Sequence, residues 1–182
     1  MARLTVRMET PLETRATAFA RLTEARLVSC YRLAAVILRD PVEAEDATHD
    51  AAVRAWERWA SLRDPERFDA WFGRILVNEC RDRLRRRRSR PAFLQLTDRP
   101  RGPAADGVDA IPDRQALLQA VDQLQPDQRI AVVLHFYLGL TAEQIGVRTG
   151  ARTGTVKSRL HYAIEALRAA RDAADRTQGG PR

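Results

Sequence analysis

Lys157, Ser158, Arg159, His161 and Tyr162 place hydrogen-bonding and aromatic side chains almost side by side along the chain. Val156, Leu160, Ala163 and Leu167 recur among and beyond them at the spacing of one helical face. With those apolar residues turned to a core, the polar ones face outward or lie on the flanks. Donors in the N-terminal half of such a helix can reach base edges in the major groove of duplex DNA. Arg152 and Thr155, near the helix start, suit phosphate, which the free N–H groups there also favour. A plain solvated face carries the same residue types, so the preceding elements decide. Thr141 and Gln144 have the spacing of a capping box, and Gly150 stops the short helix they open. Two helices around a tight glycine turn have the geometry of a helix-turn-helix, and DNA binding is the expectation.

A second surface lies earlier in the chain. On a helix running to about Arg88, Trp71, Arg74, Asn78, Arg81, Arg85 and Arg88 share one broad side. A ring beside an amide and a row of arginines suits stacking on an unpaired base while the phosphates are held by charge. Trp71 is also the neighbour of Phe72, and a core role fits it equally well. Part of the run Arg85 to Arg88 is solvated on any reading, because it points all around the helix.

Asp46, Asp50, Val53 and Glu57 form a stripe of opposite charge at i, i+4, i+7 and i+11. An acidic stripe on a basic protein is badly placed for DNA and suits either solvent or a protein with a basic face. Asp46 and His49 also have the i, i+3 spacing that chelates metals in helical bundles. A metalloenzyme would need a second such set, which His135 and His161 do not supply. No metal and no cofactor are expected.

The elements that must position these residues are helices. Of the 182 residues, 45% are hydrophobic, enough for one medium or two small cores. The net charge of +7 suits a polyanionic partner, though it suits simple solubility too. Lys157 is the only lysine, so nearly all the positive charge is the planar guanidinium fork of arginine. Cys30 and Cys80 make no disulfide framework, and a reducing cytosol fits them. No signal peptide is visible, and no stretch approaches the roughly 18 apolar residues of a membrane span, so membrane insertion is not expected.

Residues 89–112 carry Pro91, Pro100, Pro103, Pro112, Gly102 and Gly107 and read as a flexible linker. Its roughly 25 residues reach about 80 Å when extended. The expected organisation is all-α: an N-terminal extension over 1–14, helical domains over 15–88 and 113–170, and a tail over 171–182. A long helix over about 12–39 buries Phe19, Leu22, Val28, Leu33 and Ile37. Asp40-Pro41 and Asp64-Pro65 look like helix starts, with Glu43 completing the first box. Phe68, Trp71, Phe72 and Ile75 mark one face of the helix after Pro65. In the second domain, Leu117, Leu118, Val121 and Leu124 mark one helix, and Ile130, Val133, Leu134 and Tyr137 the next, which Gly139 ends.

Several of these strings resemble one family closely. Gly154-Thr155-Val156-Lys157-Ser158-Arg159-Leu160, preceded by Thr141-Ala142-Glu143-Gln144-Ile145-Gly146, is similar to the promoter −35 helix-turn-helix of extracytoplasmic-function (ECF) sigma factors. Glu43 through Trp56, Ala70 through Asn78, and Arg81 through Arg86 resemble their other conserved domain. The resemblance spans roughly residues 15–88 and 113–170, and the two motif sets in this order are highly specific. It implies an RNA polymerase sigma factor, a non-enzymatic subunit that guides core polymerase to promoters and helps open them.

The resemblance also implies a division of roles. Asp46, Asp50, Val53, Arg54, Trp56 and Glu57 lie on the helix that grips the clamp helices of the polymerase's largest subunit, and the second domain sits at the flap region. The loop from Ser61 to Asp69 captures a flipped −10 base. Trp71 and Asn78 hold the opened strand, with Arg74, Arg81 and Arg85 on the same side. Lys157, Ser158, His161 and Tyr162 read the −35 duplex, with Arg152, Thr155 and Arg159 completing that set. The family often has an anti-sigma inhibitor, though no residue here identifies one. His49 stands where glutamine is common, Tyr162 where arginine is frequent, and Thr153 where an acid or proline is usual. The competing reading is a free-standing helix-turn-helix regulator, which needs neither the Trp71 to Arg88 face nor the acidic stripe.

Overall fold

The structure is a computed structural model that describes residues 15–89 and 112–178. The N-terminal extension, most of the linker and the last four residues lie outside the described residues. Seven α-helices are described: α1 (Arg15–Leu38), α2 (Pro41–Glu57), α3 (Phe68–Ser89), α4 (Pro112–Gln123), α5 (Pro126–Phe136), α6 (Ala142–Thr149) and α7 (Thr153–Gln178). Short 3-10 turns over Trp59–Ser61 and Pro65–Arg67 join α2 to α3.

Helices α1, α2 and α3 make the first lobe. Ala44, Ala47, Ala51 and Ala55 form a fully buried alanine seam on α2. Small side chains let that helix lie close against α1 and α3, whose Ile37, Leu38, Phe72, Leu76 and Val77 fill the space between them. Phe68 stacks on Phe72 with ring centroids 5.3 Å apart. The turn from α1 into α2 is tight. Arg39 has φ 53°, a left-handed conformation that costs a non-glycine residue roughly 1–2 kcal/mol. Asp40 then accepts a hydrogen bond from the Glu43 N–H at 3.0 Å, capping α2 ahead of Pro41.

Two features of this lobe depart from the expectation. Val28 is 62% exposed, because it lies about 140° around α1 from Leu33 and opposite Ile37. The Glu43 side chain does not return to the Asp40 N–H. It pairs with Arg87 on α3 at 3.1 Å, so a bond between helices replaces half of the box.

In the second lobe Leu124, Val132 and Ala163 make a small core with Leu160 and Leu167. Gln144 and Thr141 exchange the expected capping-box bonds, at 2.9 and 3.3 Å. Gly150 adopts φ 73° and closes α6 through its N–H to the Gly146 carbonyl at 2.8 Å. Tyr137 is exposed, not buried, since α5 ends at Phe136 and the chain turns away toward Gly139. Leu117 is exposed as well, on the outer side of α4. Pro112, expected in the linker, is the first residue of α4, where a missing N–H costs nothing. Helix α7 runs on through the expected tail to Gln178. The stretch after Leu167 is alanine-rich, and the i,i+3 pair Glu165–Arg168 supports it before Gly179.

The lobes pack against each other. Helix α3 lies on α5 and α6, and α1 touches α5. Ile130, Val133, Leu134, Ile145 and Val156 are buried in a core continuous with that of the first lobe. Periodicity alone hides this, because α5 is apolar on two sides. One side serves its own lobe through Val132, and the other serves the neighbour through Ile130, Val133 and Leu134.

Candidate nucleic-acid interface

Helix α7 starts at the turn that Gly150 makes, and its register is fixed by Val156 and Ala163, both fully buried. That register leaves Arg152, Thr155, Lys157, Ser158, His161 and Tyr162 exposed. The Ser158 hydroxyl donates to the Gly154 carbonyl at 3.1 Å, which holds it along the helix. Lys157 is 3.9 Å from Glu143 on α6, a loose pair between two exposed side chains. Backbone and hydroxyl hydrogen bonds at the start of α6 lower the Glu143 pKa, so it stays charged. The His161 and Tyr162 rings lie 5.5 Å apart. Arg159 differs from the rest of the expected set. It is half-buried and turns back toward α5, reaching Asp127 at 3.0 Å.

The α3 surface is engaged. Trp71 is half-buried, with Phe68 at 6.0 Å and Trp59 at 6.4 Å between ring centroids. Asn78 accepts a hydrogen bond from Arg81 at 2.9 Å. Arg81 also meets Asp127 at 2.8 Å and the Thr149 carbonyl at 3.2 Å. Arg85 reaches Asp127 at 3.2 Å, and Arg88 the Leu124 carbonyl at 3.3 Å. The Arg74 guanidinium lies against Gly150, where a Cβ would come within 3.0 Å of it. The arginines of the expected strand-binding side therefore face the second lobe, whereas Trp71 packs on rings of the first.

The acidic stripe on α2 is partly answered from within. Arg83 of α3 meets Asp50 at 2.5 Å and lies 3.9 Å from both Asp46 and Glu43. Asp46 and Asp50 still keep about half their side-chain surface or more in solvent. Val53, Trp56 and Glu57 are exposed beside them, with Trp56 edge-on to Phe19 at 5.2 Å and Arg15 over its ring at 5.7 Å. Arg54 keeps much of its side chain in solvent but reaches across to α3, pairing at 2.6 Å with the buried carboxylate of Glu79. Burial raises the Glu79 pKa and the Arg54 charge opposes that.

The loop from Ser61 to Asp69 is built by its own turns. Ser61 donates to the Arg58 carbonyl at 2.7 Å, and Asp64 caps the Pro65 turn through the Glu66 N–H at 3.0 Å. Asp69 makes a two-point pair with Arg26 of α1, at 2.5 and 2.8 Å. Among the described residues no group of His, Cys, Asp or Glu is placed to hold a metal ion. His49 is exposed on α2 without such a set.

Sequence reasoning missed Asp127 and Asp122. Asp127 follows Pro126 in the first turn of α5, where an acid reads simply as complementing the helix dipole. Asp122 bridges Arg39 of the first lobe at 2.7 Å and Arg129 at 2.9 Å. Arg39 donates to the Leu118 carbonyl as well. The only advance signal was an excess of arginine that the three acids of the α2 stripe could not match.

Burial pushes the Cys80 thiol up to about 12 and the Cys30 thiol up to about 11. At neutral pH roughly one molecule in ten thousand carries a Cys30 thiolate. Iodoacetamide is therefore expected to spare both thiols in the folded protein and to label both in urea. Fast labelling of the native chain, read by mass spectrometry, would contradict the packing around α1 and α3.

Comparison with known proteins identifies the family and the fold. Residues 22–90 match the family model Sigma-70 region 2, and residues 114–167 match Sigma-70, region 4. The chain is 30% identical over 150 residues to the RNA polymerase sigma-E factor of Streptomyces coelicolor, covering 82% of this chain and 84% of that one. It is 34% identical over 142 residues to the ECF RNA polymerase sigma factor SigL of Mycobacterium tuberculosis, covering 76% and 80%. Among solved structures, the sigma factor RpoE of Bartonella quintana, crystallised with the anti-sigma factor NepR, superposes with a TM-score of 0.64 at 26% identity. That match covers 84% of this chain and 95% of that one. With both conserved regions in order and relatives matched over most of their length, this chain belongs to the ECF subfamily of sigma-70 RNA polymerase sigma factors.

Proposed function

We propose that this sigma factor reads −35 duplex DNA with the exposed start of α7, holds the opened −10 strand with α3, and docks on core polymerase through the outer face of α2. The observation that carries the reading is the α6–α7 arrangement. A capped short helix and a left-handed glycine present Arg152, Thr155, Lys157, Ser158, His161 and Tyr162 together on the first turns of a helix whose other side is buried. Lys157, His161 and Tyr162 are the base-reading candidates, and Arg152 and Thr155 the phosphate contacts. Arg159 supports that helix from within the second lobe through its pair with Asp127 of α5.

On α3, Trp71 offers a ring to a flipped base, Asn78 an amide, and Arg74, Arg81 and Arg85 the charge that holds the strand. Asp46, Asp50, Val53, Trp56 and Glu57 offer core polymerase an acidic surface with an apolar centre, and Arg54 ties that helix to α3 through Glu79. The clamp helices of the largest subunit are the proposed partner there, and the flap region is the partner of the second lobe. Opening needs no hydrolysis by this chain, since capture of the extruded base offsets an unstacking cost of a few kcal/mol. No described helix is long and apolar enough to cross a membrane, and a cytoplasmic protein is the proposed setting. An anti-sigma partner is proposed from the likeness to the Bartonella quintana protein, which was solved with one.

Transcription from a library of −35 variants tests the reading. Lys157→Ala and His161→Ala are expected to shift or weaken −35 preference, each lost base contact being worth about 1–3 kcal/mol of discrimination. An unchanged preference would remove both residues from the reading set.

A further inference from the structure

All three tryptophans of the chain lie in one run of rings that leads from α2 to α3. Trp56 on α2 is met edge-on by Phe19 of α1, with 5.2 Å between centroids and the planes 62° apart. The same Phe19 ring meets Trp59 at 5.3 Å and 80°. Trp59 in turn lies edge-on to Trp71 at 6.4 Å and to Phe68 at 6.1 Å. Edge-to-face pairs of this kind are what the ring quadrupoles favour. The two supports of Trp71 differ in kind. Phe68 is 2% exposed and stacked on Phe72, so the core fixes it. Trp59 belongs to the 3-10 turn Trp59–Ser61, in which no residue is buried. So short a turn carries few hydrogen bonds of its own, and the Trp59 ring takes its place from the rings around it. Phe19 meets it from α1, a helix of 24 residues anchored in the core of the lobe.

We propose that Phe19 is a positioning residue for promoter opening. In contact with both Trp56 and Trp59, it holds the Trp59 ring against Trp71 and so sets Trp71 where it meets an unpaired base. The proposal rests on the reading of Trp71 as a strand-holding ring, and Phe19 itself is assigned no contact with DNA or polymerase. A ring already in place stacks on a base at little further cost, whereas one that must first be ordered loses part of the gain. Leucine at position 19 would keep an apolar side chain but offer no ring to either indole. Trp59 would then gain freedom, and the contact with Phe68 would be the fixed support left to Trp71.

The test uses the full chain with core polymerase and reads open complexes on a duplex promoter by permanganate footprinting. Phe19→Leu is expected to lower opening about 2- to 10-fold, the factor that one aromatic pair is worth. Phe19→Tyr, which keeps the ring, is expected to stay near wild type. Trp59→Leu removes the next ring in the run and should give a similar loss, so the test does not depend on one variant folding. Near-ultraviolet circular dichroism of the free chain, dominated by its three indoles, should change in Phe19→Leu and persist in Phe19→Tyr. An unchanged spectrum in Phe19→Leu would mean that Phe19 does not hold the indoles, and would overturn the proposal. The sharpest comparison is a double-mutant cycle with Trp71→Ala. With Trp71 gone, Phe19 has nothing left to position, and Phe19→Leu is expected to cause no further loss of opening. A full additional loss in that background, unchanged opening in both leucine variants, or a loss that more core polymerase restores would overturn the proposal. Trp71→Ala with wild-type opening would instead refute the strand-holding role of Trp71, and the proposal with it.

Discussion

Replacing Trp71 and Asn78 together by alanine is expected to cut formation of open promoter complexes by about 5- to 150-fold, the equivalent of about 1–3 kcal/mol of lost base stacking. Recruitment to the duplex is expected to change far less, because the start of α7 is untouched. A template already melted around −10 should restore most of the activity, since the unstacking cost is then met in advance. Permanganate footprinting of unpaired thymines on duplex and pre-melted templates separates the two steps. An equal loss on both templates would contradict a role in opening. Trp71 also packs on Trp59 and Phe68. Trp71→Phe, which keeps a ring in that contact, is therefore the control for folding.

The largest effect on stability is expected from Phe72→Ala. Phe72 is 1% exposed, and it stacks on Phe68 at the centre of the first lobe. Truncating a buried phenylalanine costs about 3–5 kcal/mol through lost burial and the cavity left behind. The melting temperature should fall by roughly 10 °C for a protein of this size. Calorimetry also reads the coupling between lobes. The core of the first lobe is continuous with Ile130, Leu134 and Ile145, so both lobes should melt earlier, in one transition. A second transition left at the wild-type temperature would contradict that continuity.

Local signals carried much of the architecture. Asp40-Pro41, Asp64-Pro65, the Thr141–Gln144 box and Gly150 each act within a few residues, and each does in the structure what its type dictates. The α7 face was legible for the same reason. Val156 and Ala163 fix which way the helix turns, and the exposed donors follow from that. What escaped the sequence depends on contacts between distant segments. Val28 and Tyr137 continue an apolar pattern that the fold does not use, because the core ends before it reaches them. Arg54 sits on α2 among residues that face solvent, yet its partner Glu79 comes from α3. Asp127 is the plainest case, for its three arginine partners come from two other helices, and no spacing along the chain links them.

The packing of the lobes alters how the proposed sites must work. The proposed reading sets the two promoter elements between one and two duplex turns apart, each turn about 35 Å. In the closed structure Arg81 and Arg159 share one carboxylate, so α3 and α7 cannot serve both elements at once. Opening of the molecule on its larger partner is therefore a requirement of the proposed function.

The most direct measurement is run-off transcription with bacterial core RNA polymerase, with and without the purified chain, alongside size-exclusion chromatography of the mixture. Co-elution with core, together with discrete transcripts that appear only when the chain is added, is the predicted result. A chain that never co-elutes with core and yields no transcript, however tightly α7 grips a duplex, would contradict the account.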